Sequence, residues 1–371
     1  MRHWFVVATC FLLIACSGES AGVAPTFHAD ENPEHLSEWG MVAAKDGTLV
    51  LSNGLMPYDL ATPLFTDYAQ KLRTVWIPDG KPARYSADEA FDFPVGTVIT
   101  KTFYYVQDST HWNGIVTTNE TPPLIDNSLS LTGIRLMETR ILAHREDGWV
   151  ALPYVWNDAQ TDAVLKRTGD LKRLTLMRDD DRLEEFAYVV PNANQCAGCH
   201  ATNATDKAIL PIGPKTRHLN KQSTYHPAFN QLDHWLAAGL LEGDIKEPAS
   251  KNAVWTDETA TLDARARAYL DINCSHCHNP NGAADTSGLD LEPGATGPAM
   301  GRCKLPIAVG GGSGGRFFDI VPGSPDQSIT IFRMETTNPA AMMPELGRST
   351  SHEEGVTLIA EWITAMEGGC G

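Results

Sequence analysis

The chain has 371 residues, of which 42% are hydrophobic and 20% are charged. This balance excludes wholesale disorder, and at roughly 150 residues per domain the length predicts two or three domains. The 29 basic residues face 46 acidic ones, which leaves a formal net charge of -17. Such an acidic surface repels phosphate backbones, so we expect no nucleic-acid partner. Solubility alone explains the charge, although it would also suit a basic docking partner.

A short apolar run covers residues 4–15. With about twelve residues it is too short to span a bilayer and is typical of a signal-peptide core. The run ends in Leu13-Ile14-Ala15-Cys16, which resembles the bacterial lipobox, whose cysteine is lipidated and becomes the mature N-terminus. The resemblance implies a signal peptide over residues 1–16, a lipid anchor on Cys16 as the protein's one membrane attachment, and a periplasmic location. Ser17 after the cysteine implies the outer membrane; the alternative is a plain signal peptide with an incidental cysteine.

The next part of the chain predicts a tether and then a β-rich domain. Residues 17–37 are polar and small, which is typical of a tether. Within 38–190, residues 97–106 are rich in β-branched and aromatic side chains, as strands are. Residues 134–144 and 149–156 predict the two strands of a hairpin. Since no sustained helical stripe interrupts this part, we predict a β-rich sandwich or meander.

The sequence changes character after residue 190. We assign residues 191–245 to a separate segment, with an amphipathic helix over 229–241. A second helix over 259–273 begins the segment 258–371. The fold class that we predict is therefore α+β and multidomain, with the β-rich N-terminal domain followed by mainly helical domains.

Two pentapeptides carry the chemistry of this sequence. They are Cys196-Ala197-Gly198-Cys199-His200 and Cys274-Ser275-His276-Cys277-His278. In such a motif the two thiols add to the vinyl groups of a haem, and the histidine that follows binds the iron. We therefore predict two covalently attached haem c groups, with His200 and His278 as proximal ligands. A zinc site and a redox-active dithiol are the alternatives, but free thiolates persist poorly outside the cytoplasm and no thioredoxin-like βαβ pattern is present.

A methionine loop follows the second motif. Met342 and Met343 precede Pro344, between two predicted helices. A helix, a Cys-x-x-Cys-His motif, a loop methionine before proline and a closing helix together resemble the cytochrome c family over residues 258–371. In that family the methionine before proline is the second axial ligand, so the resemblance implies Met343, with Met342 as the alternative. Both residues could instead be packing methionines.

The remaining candidates are less constrained. Cys303 and Cys370 bracket the second haem segment, and we predict a disulfide between them, with free thiols as the alternative. No methionine lies between Arg178 and Ala299, so the first haem lacks a local methionine ligand. His218 is our candidate for its distal ligand, and a vacant position would permit ligand binding or catalysis. The other candidates are Met137, His144, Met177, His226 and His234.

The order of these parts resembles a family of bacterial di-haem c-type cytochromes, as do residues 148–162 and 287–291. That family has no assigned function, and we interpret the two haems as those of an electron carrier. Its partners would be other redox proteins of the periplasm or cell envelope, and we assign no catalytic residue. The competing class is a haem enzyme, a peroxidase or an oxidase, in which the first haem has an open site and the second supplies electrons. A haem-based sensor is a third class. A sixth ligand on the first iron favours the carrier, and a vacancy favours the other two.

Overall fold

The computed structural model describes residues 24–118, 120–245, 248–307 and 309–371. The predicted signal peptide and Cys16 therefore lie outside the described residues. Residues 24–37 of the predicted tether lie against the β-rich part, where the Tyr154 hydroxyl donates to the Pro33 carbonyl at 2.9 Å. Across the described ranges, no helix has the length and apolar character needed to cross a membrane.

A large mixed sheet, a small antiparallel sheet and a short parallel pair make up most of the N-terminal half. The strands are β1 (Val42–Lys45), β2 (Thr48–Leu51), β3 (Met56–Tyr58), β4 (Gln70–Trp76), β5 (Ala83–Arg84), β6 (Val98–Asp108), β7 (Gly114–Val116), β8 (Ser128–Ser130), β9 (Ile134–Arg145), β10 (Gly148–Trp156), β11 (Ala163–Leu165), β12 (Asp170–Met177), β13 (Leu183–Val190) and β14 (Leu241–Glu242). Within the described residues, the large sheet runs β11-β10-β9-β6-β7-β12-β13, with β4 also pairing with β6 and β3 pairing with β4. Among the described strands of this sheet, only β7 and β12 pair in parallel. The small sheet is β1-β2-β8, and β14 pairs with β5.

Both faces of the large sheet are covered, which explains the composition of its central strands. Leu49 and Leu129 of the small sheet pack with Tyr154 on one face. Trp235 and Leu232, from the segment that follows β13, pack on the other face. Most residues of β6 are consequently buried, and a strand buried on both faces lacks the alternation of polar and apolar residues.

The helices lie after β13 and are short. They are α1 (Ala193–His200), α2 (Thr216–Leu219), α3 (Gln231–Ala237), α4 (Leu262–Leu270), α5 (Ile329–Glu335) and α6 (Glu353–Thr364). A π-helical turn, Asp271–Ser275, extends α4 to the second cysteine motif, and 3-10 turns occupy Leu36–Trp39, Asp285–Ser287, Gly310–Ser313 and Pro325–Gln327. Helices α4, α5 and α6 share a hydrophobic core that contains Tyr269, Ile331, Ile359 and Trp362.

The predicted fold class is wrong, because the second half is not a set of mainly helical cytochrome c-like domains. Among the residues that the structure describes, the fold is mostly β, with 27% in strands and 19% in helices, and the large sheet is curled. Between the second motif and α5 the chain forms loops and short turns. This stretch is rich in residues that terminate helices, including the run Gly310–Gly315, in which Gly310 has a φ of 52° that favours glycine.

Asp67, in the loop before β4, fastens the C-terminal segment to the sheet. Its buried carboxylate accepts hydrogen bonds from the backbone N–H groups of Ser349 at 2.7 Å and Thr350 at 2.9 Å. Its carbonyl accepts a hydrogen bond from the Tyr105 hydroxyl at 2.6 Å. Burial raises the pKa of Asp67 to about 6, although the hydrogen bonds from Thr350 and Ser349 act in the opposite direction. Folding therefore favours the protonated form of this side chain.

This raised pKa predicts a pH-dependent stability that Asp67→Asn should remove. An aspartate in the unfolded chain has a pKa near 3.9, so ionisation of Asp67 lowers the free energy of unfolding as the pH rises from about 4 to about 6. Asparagine retains an acceptor oxygen and tolerates the φ of 45° at this position. Relative to the wild type, we expect Asp67→Asn to gain on the order of 2 kcal/mol of stability between pH 4 and pH 7.

Urea unfolding of both proteins across this pH range measures the difference. Asp79→Asn serves as the matched control, because Asp79 is exposed in a turn. A stability difference between the wild type and Asp67→Asn that stays constant from pH 4 to pH 7 would show that Asp67 does not titrate as described.

Candidate haem-binding sites

One cavity brings the second cysteine motif together with the methionine loop. Its volume is about 520 Å³, within the usual range for ligand and cofactor pockets. Cys274, Cys277 and His278 line it on one side, and Met343 and Pro344 line it as well. Helix α4 and its π-helical turn position the cysteines, whereas the methionine comes from the loop between α5 and α6. Residues far apart in the sequence therefore meet around a single space.

The His278 ring is held with one defined nitrogen available to a metal. Its Nδ1 lies 3.1 Å from the Ser287 hydroxyl oxygen, and that hydroxyl donates its hydrogen to the Ala284 carbonyl at 2.6 Å. Because the hydroxyl hydrogen is already used, Nδ1 must be the donor to Ser287, which leaves the lone pair on Nε2. Burial lowers the pKa of His278 to about 4, so the imidazole is neutral at pH 7, as an iron ligand must be.

His200 of the first motif has the same arrangement with a different partner. Its Nδ1 donates to the Leu210 carbonyl at 2.7 Å, so Nε2 again carries the lone pair. Burial lowers its pKa to about 4. The Asn192 side chain caps the start of α1 by accepting from the Gln195 N–H, and this short helix carries Cys196, Cys199 and His200. The first motif is thus built on a helix, and its histidine is oriented by the loop that follows.

Arg348 holds the loop that carries Met343. Its guanidinium is buried and donates to backbone carbonyl oxygens of Met343 at 3.0 Å, Thr350 at 3.0 Å, and Arg333 and Thr336 at 2.9 Å each. Met343 lines the cavity, whereas Met342 is buried and does not line it. Of the two predicted methionines, the geometry therefore directs Met343 to the second motif.

The two cysteine motifs touch each other. The Cys277 thiol donates to the Gly198 carbonyl oxygen at 3.5 Å. Interaction between the Cys199 and Cys277 thiols lowers the pKa of Cys199 and raises that of Cys277. His276 lies beside Cys199, and its buried Nδ1 has no hydrogen-bond partner among the described residues. Gly198 and Cys199 line the same cavity as the second motif.

A buried ion pair joins the segments that carry the two motifs. Arg217 of α2 donates from Nε to Asp271 Oδ2 at 2.7 Å and from Nη2 to Oδ1 at 3.0 Å. Burial by itself would raise the pKa of Asp271, but the hydrogen bonds and charge of Arg217 outweigh it and hold the pKa at about 2. Asp271 begins the π-helical turn, and Ser275 within the second motif donates to its carboxylate at 3.0 Å.

His218 belongs to this ion-pair cluster. Its Nε2 lies 3.6 Å from Asp271 Oδ2, and its Nδ1 lies 3.3 Å from Asn252 Nδ2. Burial lowers its pKa to about 4, and the residue does not line the cavity. Nε2 faces Asp271 and Nδ1 faces Asn252, so this arrangement gives no support to His218 as a distal ligand.

The other candidates for that ligand are also engaged elsewhere. The His144 ring stacks on Trp149 with its Nδ1 2.8 Å from the Phe93 carbonyl, so that nitrogen is a donor. The His226 ring packs against that of His234, with centroids 4.3 Å apart. Met137 is fully buried in the core of the sheet, and Met177 ends β12.

Cys303 and Cys370 form a disulfide bond. The bond links the loop after the second motif to the end of the chain, across 67 residues of sequence. It lies next to Ile320, whose carbonyl is 3.9 Å from the Cys370 sulfur. The cysteines of the two motifs take no part in this disulfide.

The residues around both motifs fit a covalently bound haem. Each motif presents two thiols and a neutral imidazole whose Nε2 is unprotonated, and a thioether sulfur shares the cavity of the second motif. In the part of the chain that the structure describes, no group of three or more His, Cys, Asp or Glu side chains is arranged to hold a bare metal ion. A haem does not need such a cluster, because the protein supplies only the axial ligands of the iron, in addition to the cysteines that anchor the haem.

Several cavity residues escaped the sequence analysis because they come from distant segments. Phe65 precedes β4 and stacks on His352 at the start of α6, with ring centroids 4.3 Å apart. Arg348 carried no motif that would mark it as the support of the methionine loop. His276 could have been noticed, since it lies inside the second pentapeptide, but its position against Cys199 depends on the tertiary fold.

Comparisons of this chain with protein-family models, with curated proteins and with solved structures find no match in any of the three. The interpretation of the two motifs therefore depends on their chemistry and on the geometry described above.

Proposed function

We propose that this protein is a di-haem c-type cytochrome that carries electrons in the bacterial periplasm and is tethered to the outer membrane through a lipidated Cys16. Other redox proteins of the periplasm or cell envelope are its partners. The observation that carries the proposal is the cavity in which Cys274, Cys277 and His278 meet Met343. Two thioether anchors, an imidazole and a methionine sulfur are what a six-coordinate haem c requires from a protein.

The chain's own residues have separate tasks at the second motif. The two cysteines anchor the cofactor, Ser287 orients His278 so that Nε2 is presented, and Arg348 holds the backbone at Met343. Apolar side chains such as Leu289 and Val356 line the cavity and limit water there. When bound, haem iron supplies reversible one-electron oxidation and reduction.

Contact between the motifs supports transfer of electrons from one haem to the other. The Cys277 sulfur lies 3.5 Å from the carbonyl oxygen of Gly198, the residue before Cys199, so the covalent anchors of the two haems are adjacent. The two sites also differ in their surroundings, because Met343 lines the cavity of the second motif and no methionine lies near the first motif in the sequence. Methionine ligation raises the reduction potential, so the second haem is the higher-potential site.

Haem attachment at each motif is tested by mass. The protein, expressed with its signal peptide in a bacterium that matures c-type cytochromes, should carry two haems. Cys196→Ala with Cys199→Ala should remove one haem mass and leave the second, and Cys274→Ala with Cys277→Ala should do the reverse. Cys303→Ala with Cys370→Ala is the matched control, which should lose the disulfide and keep both haems. A wild-type mass without haem would contradict the proposal.

The two adjacent methionines allow a paired test of the second axial ligand. Met343→Ala should abolish the weak long-wavelength absorption band of methionine-ligated ferric haem and lower the potential of the second haem by on the order of 0.1 V or more, since axial ligands set haem potentials over about 0.8 V. Met342→Ala should keep the band while lowering the stability by about 2 to 5 kcal/mol, because it leaves a cavity in the core. The opposite pattern would assign the ligand to Met342.

A haem enzyme, either a peroxidase or an oxidase, is the second candidate, and one observation favours it. His218, His144 and His226, which were considered as distal ligands of the first haem, all contact other side chains. An open position opposite His200 would admit a small ligand. In this alternative the second haem supplies electrons to the first.

Carbon monoxide distinguishes the two functions. For the electron carrier we expect no shift of the Soret band when the gas is added to the dithionite-reduced protein, because two tightly held axial ligands leave no position for it. A Soret shift whose amplitude corresponds to one of the two haems would favour the haem enzyme over the electron carrier. Met343→Ala is the positive control, since loss of the sulfur opens the second iron and should make it bind carbon monoxide.

A further inference from the structure

Four cationic side chains share one face of the large sheet beside the first motif. Arg73 of β4 lies directly opposite Lys101 of β6, and Lys101 lies directly opposite Arg140 of β9. Lys71, two residues before Arg73, points the same way and lies opposite Phe103. Directly opposed residues on neighbouring strands project from the same face, so three like charges form a row across the sheet.

Three of the four cations lie close to a single aromatic ring, that of Phe103. The distances to the Phe103 ring centre are 4.4 Å from the Arg140 guanidinium carbon, 4.9 Å from Lys101 Nζ and 5.9 Å from Lys71 Nζ. These contacts are favourable, but a ring quadrupole gives each cation far less than a full counter-charge does. The positive charges therefore lie close to the Phe103 ring, but the ring does not neutralise them.

The nearby carboxylates form hydrogen bonds with other groups or with Arg140. Glu138 accepts two hydrogen bonds from Arg140, at 2.8 and 2.6 Å, and a third from the Tyr188 hydroxyl. Asp67 accepts from the backbone of Ser349 and Thr350. Asp59, which interacts electrostatically with Arg73, accepts from the Lys221 ammonium through Oδ2, and its buried Oδ1 has no hydrogen-bond partner among the described residues. Within the described residues, no carboxylate is hydrogen-bonded to Lys71, Arg73 or Lys101.

Lys101 is the least satisfied of the four. Its side chain is half-buried, and its Nζ makes no hydrogen bond or ion pair within the described residues. Lys71 Nζ donates to the Ala69 carbonyl at 2.7 Å, and Nη2 of buried Arg73 has no hydrogen-bond partner among the residues the structure describes. Unpaired charges removed from water are costly unless an anion accompanies them.

This cationic row faces the first Cys-x-x-Cys-His motif. Helix α1 packs against β10, the strand beside β9. Arg140 interacts electrostatically with Cys196, and Lys101 does so with His200. A negatively charged group bound beside the first motif would therefore be attracted by the cationic row.

We propose that Lys101, together with Lys71 and Arg73, binds a carboxylate anion beside the first haem-attachment motif. Two sources share this chemistry: the propionate groups of a haem attached at Cys196 and Cys199, or a small carboxylate from solution. The first source rests on the proposed function and the second does not. In either case the anion neutralises Lys101, and its presence makes the lysine stabilising.

The sign of a stability change tests the proposal. If Lys101 is paired with an anion, Lys101→Met leaves that anion buried and lowers the thermal midpoint of the full-length protein by several degrees. Lys101→Arg, which keeps the charge, should restore most of the midpoint. Lys172→Met is the matched control in the same sheet, because Lys172 is also half-buried and donates to the Trp156 carbonyl away from the motif. If Lys101 has no anion, Lys101→Met should leave the midpoint unchanged or raise it, and the proposal fails.

Two further measurements separate the sources. If the midpoint of the wild type rises with sodium acetate more than with equal sodium chloride, and Lys101→Met loses this difference, the anion comes from solution. If acetate has no such effect and Lys101→Met shifts the propionate bending band in the resonance Raman spectrum, the anion is a haem propionate. A lowered midpoint with neither response would show a purely structural lysine and overturn the proposal. Haem mass on the same samples reports separately whether the first motif carries a haem, so failure of the proposed function is distinguishable.

Discussion

The buried ion pair between Arg217 and Asp271 is the constraint on which the arrangement of the two motifs depends. It connects α2, which follows the first motif, to the π-helical turn that leads into the second. Removing one partner of such a buried pair leaves the other charge without compensation, at a cost of about 3 to 5 kcal/mol. The contact between Cys199 and Cys277 therefore depends on an interaction that involves neither residue.

The two faces of the large sheet pack against different parts of the chain. One face packs against the small sheet and forms an apolar core around Trp39 and Tyr154. The other face packs against the segment that follows β13, with Trp235 in its apolar part and the cationic row in its polar part. This division explains why β6 combines apolar residues with Lys101: its two faces meet different partners, and the strand has no face toward open water.

Local patterns in the sequence predicted local structure, but they did not predict the contacts between residues that are distant in the sequence. The hairpin over 134–156 is present as β9 and β10, because β-branched residues flanking a short polar turn determine it locally. The helix predicted over 259–273 corresponds to α4 and its π-helical turn. The expectation of mainly helical haem domains failed because family resemblance at two motifs says little about the loops between them. Ser287, Leu210 and Arg348 support the candidate ligands through contacts that depend on chain folding, and no spacing rule reveals them.

Arg348 has a consequence for how this site tolerates change. Its guanidinium donates to four main-chain carbonyl groups, including that of Met343, and Arg333 Nε donates to the Ala341 carbonyl at 2.9 Å. Two arginine side chains therefore hold the methionine loop at its main-chain atoms. A substitution in the loop that keeps the backbone path leaves these bonds in place, whereas loss of Arg348 would release four carbonyl groups at once.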